Sequence, residues 1–145
     1  MNANIHAVHF DEHLAALLEE SGLPTGDLTA DSDAILFSYS LNSEYCGIVG
    51  LELHGACALL RSLVVKPRHR GAGIGEALLA HAEQAATASG VKEIYLLTTT
   101  AERYFSRRGY DVADRAMAPA AIALTRQFSE LCPSSSVLMV KRYEA

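Results

Sequence analysis

The chain has 145 residues, of which 50% are hydrophobic and 20% charged, and its formal net charge is -5. This length predicts one domain over residues 1–145, with enough apolar content for a core that needs no metal or disulfide. The charge excludes the broad basic surface that nucleic-acid binding requires. No apolar run reaches the roughly 18 residues that cross a bilayer, so no membrane partner is expected.

The N-terminal half predicts a strand, a helix and an antiparallel meander. Residues 4–10 alternate as a strand, and Asp11 is the predicted N-cap of a helix with Leu14, Leu17 and Leu18 on one stripe. Residues 23–33 have the Gly, Pro, Thr, Asp and Ser composition of a loop, one that can border a substrate pocket. Three runs that favour β structure follow, at Ala34 to Ser40, Gly47 to His54 and Cys57 to Val65.

The C-terminal half alternates helices and strands. The predicted elements are a helix from Gly75 to Ser89, a buried strand from Val91 to Leu97, a helix from Ala101 to Arg108, a strand from Tyr110 to Asp114, a helix from Pro119 to Leu131 and a strand from Ser136 to Arg142. The order β-α-β-β-β-α-β-α-β-α-β predicts a mixed α+β domain whose central sheet is covered by helices.

Cysteine and histidine positions argue against a metal site. Three cysteines form an odd set without a Cys-x-x-Cys spacing, namely Cys46, Cys57 and Cys132. His6 and His9 lie in the strand-like stretch and His13 in the helix after it, so their imidazoles are not expected to share a face. We therefore predict no metal and a reducing, cytoplasmic compartment.

A glycine-rich loop is the most informative motif. It reads Arg70-Gly71-Ala72-Gly73-Ile74-Gly75, follows the apolar run Leu63-Val64-Val65 and leads into a predicted helix. Backbone N–H groups in such a loop can converge on one anion, and the helix N-terminus reinforces them. Lys66, Arg68, His69 and Arg70 add local positive charge. The sequence predicts an anion site, although glycines at such a turn can also serve the backbone alone.

Two common phosphate loops are excluded by Glu76, which follows the last glycine. A Walker loop needs Lys and Ser or Thr there, and a dinucleotide fingerprint that starts at Gly71 needs its third glycine at position 76. The remaining pattern, Arg-x-x-Gly-x-Gly after the strand Leu60 to Val65 and the Lys66-Pro67 turn, resembles the acyl-coenzyme A diphosphate loop of the GNAT superfamily of N-acetyltransferases.

The resemblance extends over nearly the whole chain. Within the superfamily, Leu59 to Val65, the triple threonine 98–100 and Ala118 to Ile122 are similar to the arsenic-resistance N-acetyltransferase subfamily. The Leu-Thr-Thr and aromatic-Phe-x-x-Arg-Gly-aromatic pattern within Leu97 to Tyr110 is similar to the acetyltransferase domain of bacterial N-acetylglutamate synthases. Both comparisons point to small, amino-acid-like amine acceptors, including arsenic-containing ones.

The resemblance implies an acyl-CoA N-acyltransferase fold, a mostly antiparallel sheet with a parallel pair at the cofactor site. It also implies acetyl-CoA as acyl donor, direct attack by the amine in a ternary complex, and pairing as a homodimer. Strand residues Leu63, Val64 and Val65 are then expected to contact the pantetheine arm and the acetyl carbonyl. The diphosphate is expected to contact the loop residues Arg70, Gly71, Ala72, Gly73, Ile74 and Gly75.

Two positions depart from the family pattern. Phe105 stands where many members have a tyrosine that protonates the leaving thiolate. Either Tyr104, one residue earlier, takes a different catalytic role, or the thiolate leaves with only water and backbone support. We expect Tyr104 mainly to pack against or shape the pocket, with an acid role as the alternative. Leu59 stands where relatives often have a glutamate. Glu52 is the candidate base because on a strand it points away from the Leu51 and Leu53 face, with a solvent-exposed glutamate as the alternative.

Acceptor binding is assigned to polar residues near the two departures. Arg61 and Ser62 interrupt an apolar strand, so burial of Arg61 demands an anion, either an acceptor carboxylate or an internal partner such as Glu52 or Glu44. Hydroxyl donors are expected from Thr98 and Thr99. The sequence thus favours an N-acetyltransferase, while a non-catalytic acyl-CoA sensor, or an enzyme for another amine or a protein, stays open.

Overall fold

One seven-stranded sheet organises the domain, in the order β1-β2-β3-β4-β5-β7-β6. The computed structural model describes residues 4–8, 12–20, 34–42, 44–123 and 136–143. The strands are β1 Ile5–Val8, β2 Ile35–Leu41, β3 Glu44–His54, β4 Cys57–Val65, β5 Glu93–Thr98, β6 Asp111–Ala113 and β7 Val137–Arg142. The helices are α1 Glu12–Glu20, α2 Ile74–Ala88, α3 Glu102–Ser106 and α4 Ala120–Ala123, with 3-10 turns at Pro67–His69 and Arg115–Met117.

The predicted fold class and element order are confirmed. Neighbouring strands are antiparallel except β4 and β5, which are parallel because the chain crosses over through α2 between them. Within the described residues, no helix has the length and apolarity needed to span a bilayer.

Helices cover both faces of the sheet. On one face, α2 buries Leu78, Ala82 and Ala86 in a core shared with β3, β4, β5 and β7, and its alanines allow the helix backbone to approach the sheet closely. On the other face, α1 contributes Leu14, Leu17 and Leu18, while α4 contributes Ile122. Each fully buried leucine stabilises the fold by about 1.5–3 kcal/mol, so the sheet is held from both sides.

Some predicted boundaries differ from the structure. The strand predicted to start at Val91 starts at Glu93, because the Val91 amide donates to the Ala86 carbonyl at 3.1 Å and ends the helical turn. The strand predicted from Gly47 begins at Glu44. The C-terminal helix begins at Ala120, and residues 124–130 lie outside the described part, as do Asp11, His9, the His13 side chain and the predicted loop 23–33.

A β-bulge in β4 has no counterpart in the sequence prediction. Ser62 has φ 59°, in the left-handed region that a non-glycine residue adopts at a cost. Gly50 lies opposite Arg61 and Ile48 opposite Val64, so β4 has one residue more than β3 over this interval. As a result Leu60 and Leu63, three residues apart, both pack on the α2 side of the sheet.

Candidate active site

The candidate site lies where the two parallel strands separate. β4 and β5 pair through Cys57–Leu59 and Glu93–Tyr95. Beyond these residues both strands continue, but they no longer pair with each other. β3 still holds β4 as far as Val65, and β7 holds β5 as far as Thr98. The two strands therefore form the walls of a cavity of about 840 Å³.

The far half of β4 exposes backbone along one wall. Leu63, Val64 and Val65 line the cavity, and no strand covers their cavity-side edge among the described residues. Unpaired N–H and C=O groups on a strand edge can bond an extended, amide-containing ligand as another strand would.

The glycine-rich loop closes one end of the cavity. Gly71 and Gly73 have φ 85° and 80°, and a Cβ at either position meets nothing within 4 Å, so backbone conformation rather than space requires glycine there. α2 begins at Ile74, and its first-turn amides lack acceptors inside the helix. Arg70 Nε donates to the Val65 carbonyl at 3.1 Å, which ties the loop to β4. The result is a positive helix end that lines the cavity and can bind an anion.

An aromatic and charged group from α3 lies against this helix end. The Tyr104 hydroxyl oxygen is 3.0 Å from the position that a Cβ on Gly75 would take. The Arg108 guanidinium stacks over the Tyr104 ring at 3.7 Å and bonds Glu76 at 2.6 Å. Burial raises the pKa of the Tyr104 hydroxyl, and the Arg108 charge opposes part of the rise. The hydroxyl is therefore a donor at neutral pH.

Phe105 packs inside the domain. Its side chain is buried and meets the Tyr110 ring edge-on at 5.6 Å, although it also reaches the cavity wall. An apolar ring cannot supply a proton, so the position that carries a tyrosine in many family members contributes only packing here.

A buried ion pair explains the charge of Arg61. Its side chain is 1% exposed and donates to Glu52 at 2.9 Å, while its Nε donates to the Ser62 hydroxyl at 3.2 Å. Of the partners left open by the sequence, the structure shows Glu52. The second Glu52 oxygen lies 3.2 Å from His54 Nε2, so the carboxylate connects a cavity-lining arginine to a partly exposed histidine.

The ends of β5 and β7 complete the walls. The cavity is lined here by Thr98, Thr99 and Ser136. The Thr98 hydroxyl also accepts a hydrogen bond from the backbone amide of Ala101, the residue before α3, at 3.0 Å. Arg115 donates to the Ser136 hydroxyl at 2.9 Å. Sequence reasoning missed Ser136, because its proximity to β4 depends on strand order, which no local pattern records.

Most of the predicted site residues come together. The cavity is lined by Arg61, Ser62, Leu63, Val64, Val65, Arg70, Gly71, Gly73, Ile74, Gly75, Thr98, Thr99 and Tyr104. Ala72 and Glu52 are not among its lining residues. Arg108 and His69 line it and were not predicted. The pairing of Arg108 with Glu76 joins two separate elements, which no local sequence pattern records.

One group of metal-ligating types does form beside the loop. The ligand atoms of Glu44, Cys46 and His69 lie within 4.8 Å of one another. Arg68 pairs with Glu44, and its Nε donates to His69 Nε2 at 3.3 Å. The Arg68 guanidinium thus already places a positive charge beside Glu44 and His69, where a metal ion would otherwise do so.

Comparison with known proteins agrees with this architecture. The family described as Acetyltransferase (GNAT) domain matches residues 32–112, more than half of the chain. The amino-acid acetyltransferase of Ectopseudomonas mendocina is 39% identical over 67 residues, 46% of this chain and 16% of that protein. That of Ralstonia nicotianae is 46% identical over 48 residues, 33% of this chain and 11% of that protein. The matched region is a small part of both relatives.

Solved structures share the fold over the full domain. N-acetylglutamate synthase from Neisseria gonorrhoeae, complexed with coenzyme A and N-acetyl-glutamate, superposes with a TM-score of 0.77 over 100% of this chain and 36% of that chain, at 22% identity. PaiA N-acetyltransferase from Thermoplasma acidophilum, in complex with coenzyme A, superposes with a TM-score of 0.66 over 99% of this chain and 100% of that chain, at 18% identity. These structures share the fold, and because the family match spans more than half of the chain, the chain belongs to the family described as Acetyltransferase (GNAT) domain.

Proposed function

We propose that this domain transfers the acetyl group of acetyl-CoA to the amine of a small, amino-acid-like acceptor by direct attack in a ternary complex. The observation that carries the proposal is the cavity between β4 and β5, which joins an uncovered strand edge to a helix N-terminus. An extended arm with amide groups and a diphosphate at its end matches these two features in order.

The residues present fit the donor. Leu63, Val64 and Val65 offer the strand edge to the pantetheine arm, and the loop from Arg70 to Gly75 offers amides and a positive helix end to the diphosphate. Acetyl-CoA supplies an activated thioester, so the chain needs no nucleophile of its own. Cys46 is buried, and Cys57 lies at the paired end of β4.

Deprotonation of the acceptor ammonium is the step that needs a base. Glu52 is proposed for it, with Arg61 holding the carboxylate in place and His54 linking it toward the surface. Because Glu52 does not line the described cavity, a water molecule has to connect it to the amine. Glu52→Gln should then lower kcat and remove the acidic limb of its pH profile. An increase in acceptor KM alone, with the profile unchanged, assigns Glu52 only to holding Arg61.

The acceptor is proposed to carry an anion as well as an amine. Arg61, Ser62 and the threonines at the end of β5 line the cavity, and the curated relatives are amino-acid acetyltransferases. An acidic amino acid meets this description, and so does an arsenic-bearing or phosphinate-bearing amino acid. Arg61→Ala should raise KM for such acceptors far more than KM for acetyl-CoA.

The decisive experiment is thiol release from acetyl-CoA with a panel of amino acids, including an arsenic-containing one and neutral controls. Saturable release that depends on the acceptor supports the proposal.

The presence of Phe105 in place of a tyrosine favours one competing function, a non-catalytic acyl-CoA sensor. Tight coenzyme A binding without release across the panel supports the sensor. The proposed homodimer is tested by the mass of the purified protein in light scattering.

A further inference from the structure

The Tyr104 hydroxyl lies at the end of the cavity that the glycine-rich loop closes. The nearest atoms to a Cβ built on Gly75 are the Tyr104 hydroxyl oxygen at 3.0 Å and the Val65 Cγ2 atom at 3.6 Å. Gly75 belongs to the first turn of α2, and Val65 is the last residue of β4. Both flank the glycine-rich loop, whereas the strands part at Leu60 and Leu96. The position thus favours contact with the anionic part of the donor over contact with its sulfur.

Arg108 fixes the ring that carries this hydroxyl. Its guanidinium carbon is 3.7 Å from the centroid of the Tyr104 ring, and its Nη1 donates to the Tyr104 carbonyl at 3.0 Å. Its Nη2 bonds Glu76 at 2.6 Å. The same arginine therefore orients the ring and neutralises the one acidic side chain in the first turn of α2, where a carboxylate otherwise repels an anion.

We propose that the Tyr104 hydroxyl donates a hydrogen bond to the phosphate-bearing part of the acyl donor at the N-terminus of α2, and that Arg108 is the positioning residue that holds it there. This inference rests on the proposed function. It assigns Tyr104 to donor binding rather than to protonation of the leaving thiolate, and it explains why position 75 has no side chain.

Calorimetric measurement of the affinity for two ligands tests whether Tyr104 contacts the phosphate-bearing part of the donor. Coenzyme A carries the diphosphate, and S-acetylpantetheine lacks it. Tyr104→Phe should weaken coenzyme A binding about ten-fold, the loss expected for a hydrogen bond to a charged group, and change S-acetylpantetheine binding by less than about two-fold. The matched control is Tyr39→Phe, because Tyr39 is also partly buried but lies on β2, outside the cavity lining. It should change neither affinity.

Kinetics separate the two roles of Tyr104. If the hydroxyl binds the acyl donor, Tyr104→Phe raises KM for acetyl-CoA and leaves the alkaline limb of the kcat profile in place. If the hydroxyl protonates the thiolate, Tyr104→Phe lowers kcat and removes that limb. The second result, or equal weakening of both ligands by Tyr104→Phe, overturns the inference.

Double variants test the contacts directly. Gly75→Ala should weaken coenzyme A binding in the parent and have little further effect in Tyr104→Phe, since the methyl group then meets no hydroxyl. Arg108→Lys keeps the charge but loses the stacked plane, so it should reproduce the selective loss for coenzyme A, without adding to Tyr104→Phe. Arg107→Lys, at the exposed neighbouring position, is the control for Arg108→Lys. Fully additive losses overturn the positioning role.

The two levels of proposal fail differently. If the parent protein binds neither ligand, the proposed function fails. If the parent binds coenzyme A and Tyr104→Phe binds it equally well, only the assignment of Tyr104 fails.

Discussion

The two halves of the β4–β5 pair use the same strands in opposite ways. In the paired half, Leu59 and Tyr95 are register partners within an apolar cluster, and the Tyr95 hydroxyl donates to Glu93 at 3.1 Å. In the separated half, beyond Leu59 and Tyr95, the strands diverge to line the cavity. The paired half thus contributes packing within an apolar cluster, and the separated half gives a ligand access. Variants at the two ends should separate these properties.

The largest effect is expected in the paired half. Leu59→Ala removes a side chain that is 1% exposed and should lower the free energy of unfolding by about 2–5 kcal/mol. Urea titration measures it. Leu53→Ala, at a position that is 37% exposed, is the control and should cost much less. Equal losses contradict the idea that burial in the paired half makes Leu59 important for stability.

The same half predicts a loss of stability at high pH. Burial, with a contribution from Glu93, raises the pKa of Tyr95 from 10.0 to about 12. Since the unfolded state loses its proton first, stability is complete below pH 10 and falls by about 2–3 kcal/mol as the pH rises toward 12. Tyr95→Phe should show a smaller fall in denaturant titrations across this range. An identical fall in both proteins removes Tyr95 as its cause.

The separated half should be sensitive to backbone strain in binding. Gly73→Val places a branched side chain at φ 80°, which costs about 1–3 kcal/mol and should weaken coenzyme A binding roughly 5- to 150-fold. Gly55→Val imposes similar strain at φ 71° in the β3–β4 turn. Both variants should lose stability, but only the first should lose affinity. Loss of affinity in both points to global destabilisation.

The smallest effect concerns thiol reactivity in the paired half. Burial and the nearby Glu93 raise the pKa of Cys57 above 9.0. Iodoacetamide at pH 8 should therefore label Cys57 more slowly than a free thiol. Glu93→Gln should increase the rate, whereas the exposed Glu102→Gln should not. Peptide mass spectrometry follows the labelling, and an unchanged rate in Glu93→Gln contradicts the electrostatic cause.

Local sequence patterns predicted the elements and the loop. The helix predicted from Gly75 is found from Ile74, and the predicted strands occur within a few residues of their expected ends. Glycines, helical spacing and alternation are signals of single segments, so they can be recognised without a structure. The loop residues Gly71 and Gly73 adopt the positive φ angles that explain their presence.

Features that depend on contacts between segments were not predictable. The bulge at Ser62 arises from pairing with β3, and no glycine in the sequence indicates the positive φ angle there. The partner of Arg61 was open between several acids, since only register places Glu52 beside it. The ion pair of Arg108 with Glu76 likewise depends on how the end of α3 lies against α2.

The extra residue in β4 also determines where the strand can change in length. If β4 paired regularly with β3 through Ser62, Leu63 would take the place opposite Ile48 and Val64 the place opposite Gly47, so the two side chains would exchange the layers beneath α1 and α2. Deleting Ser62 instead removes the bulge and leaves Leu63 and Val64 on the faces they already occupy. Relatives should therefore tolerate a one-residue deletion at this position better than elsewhere in β4.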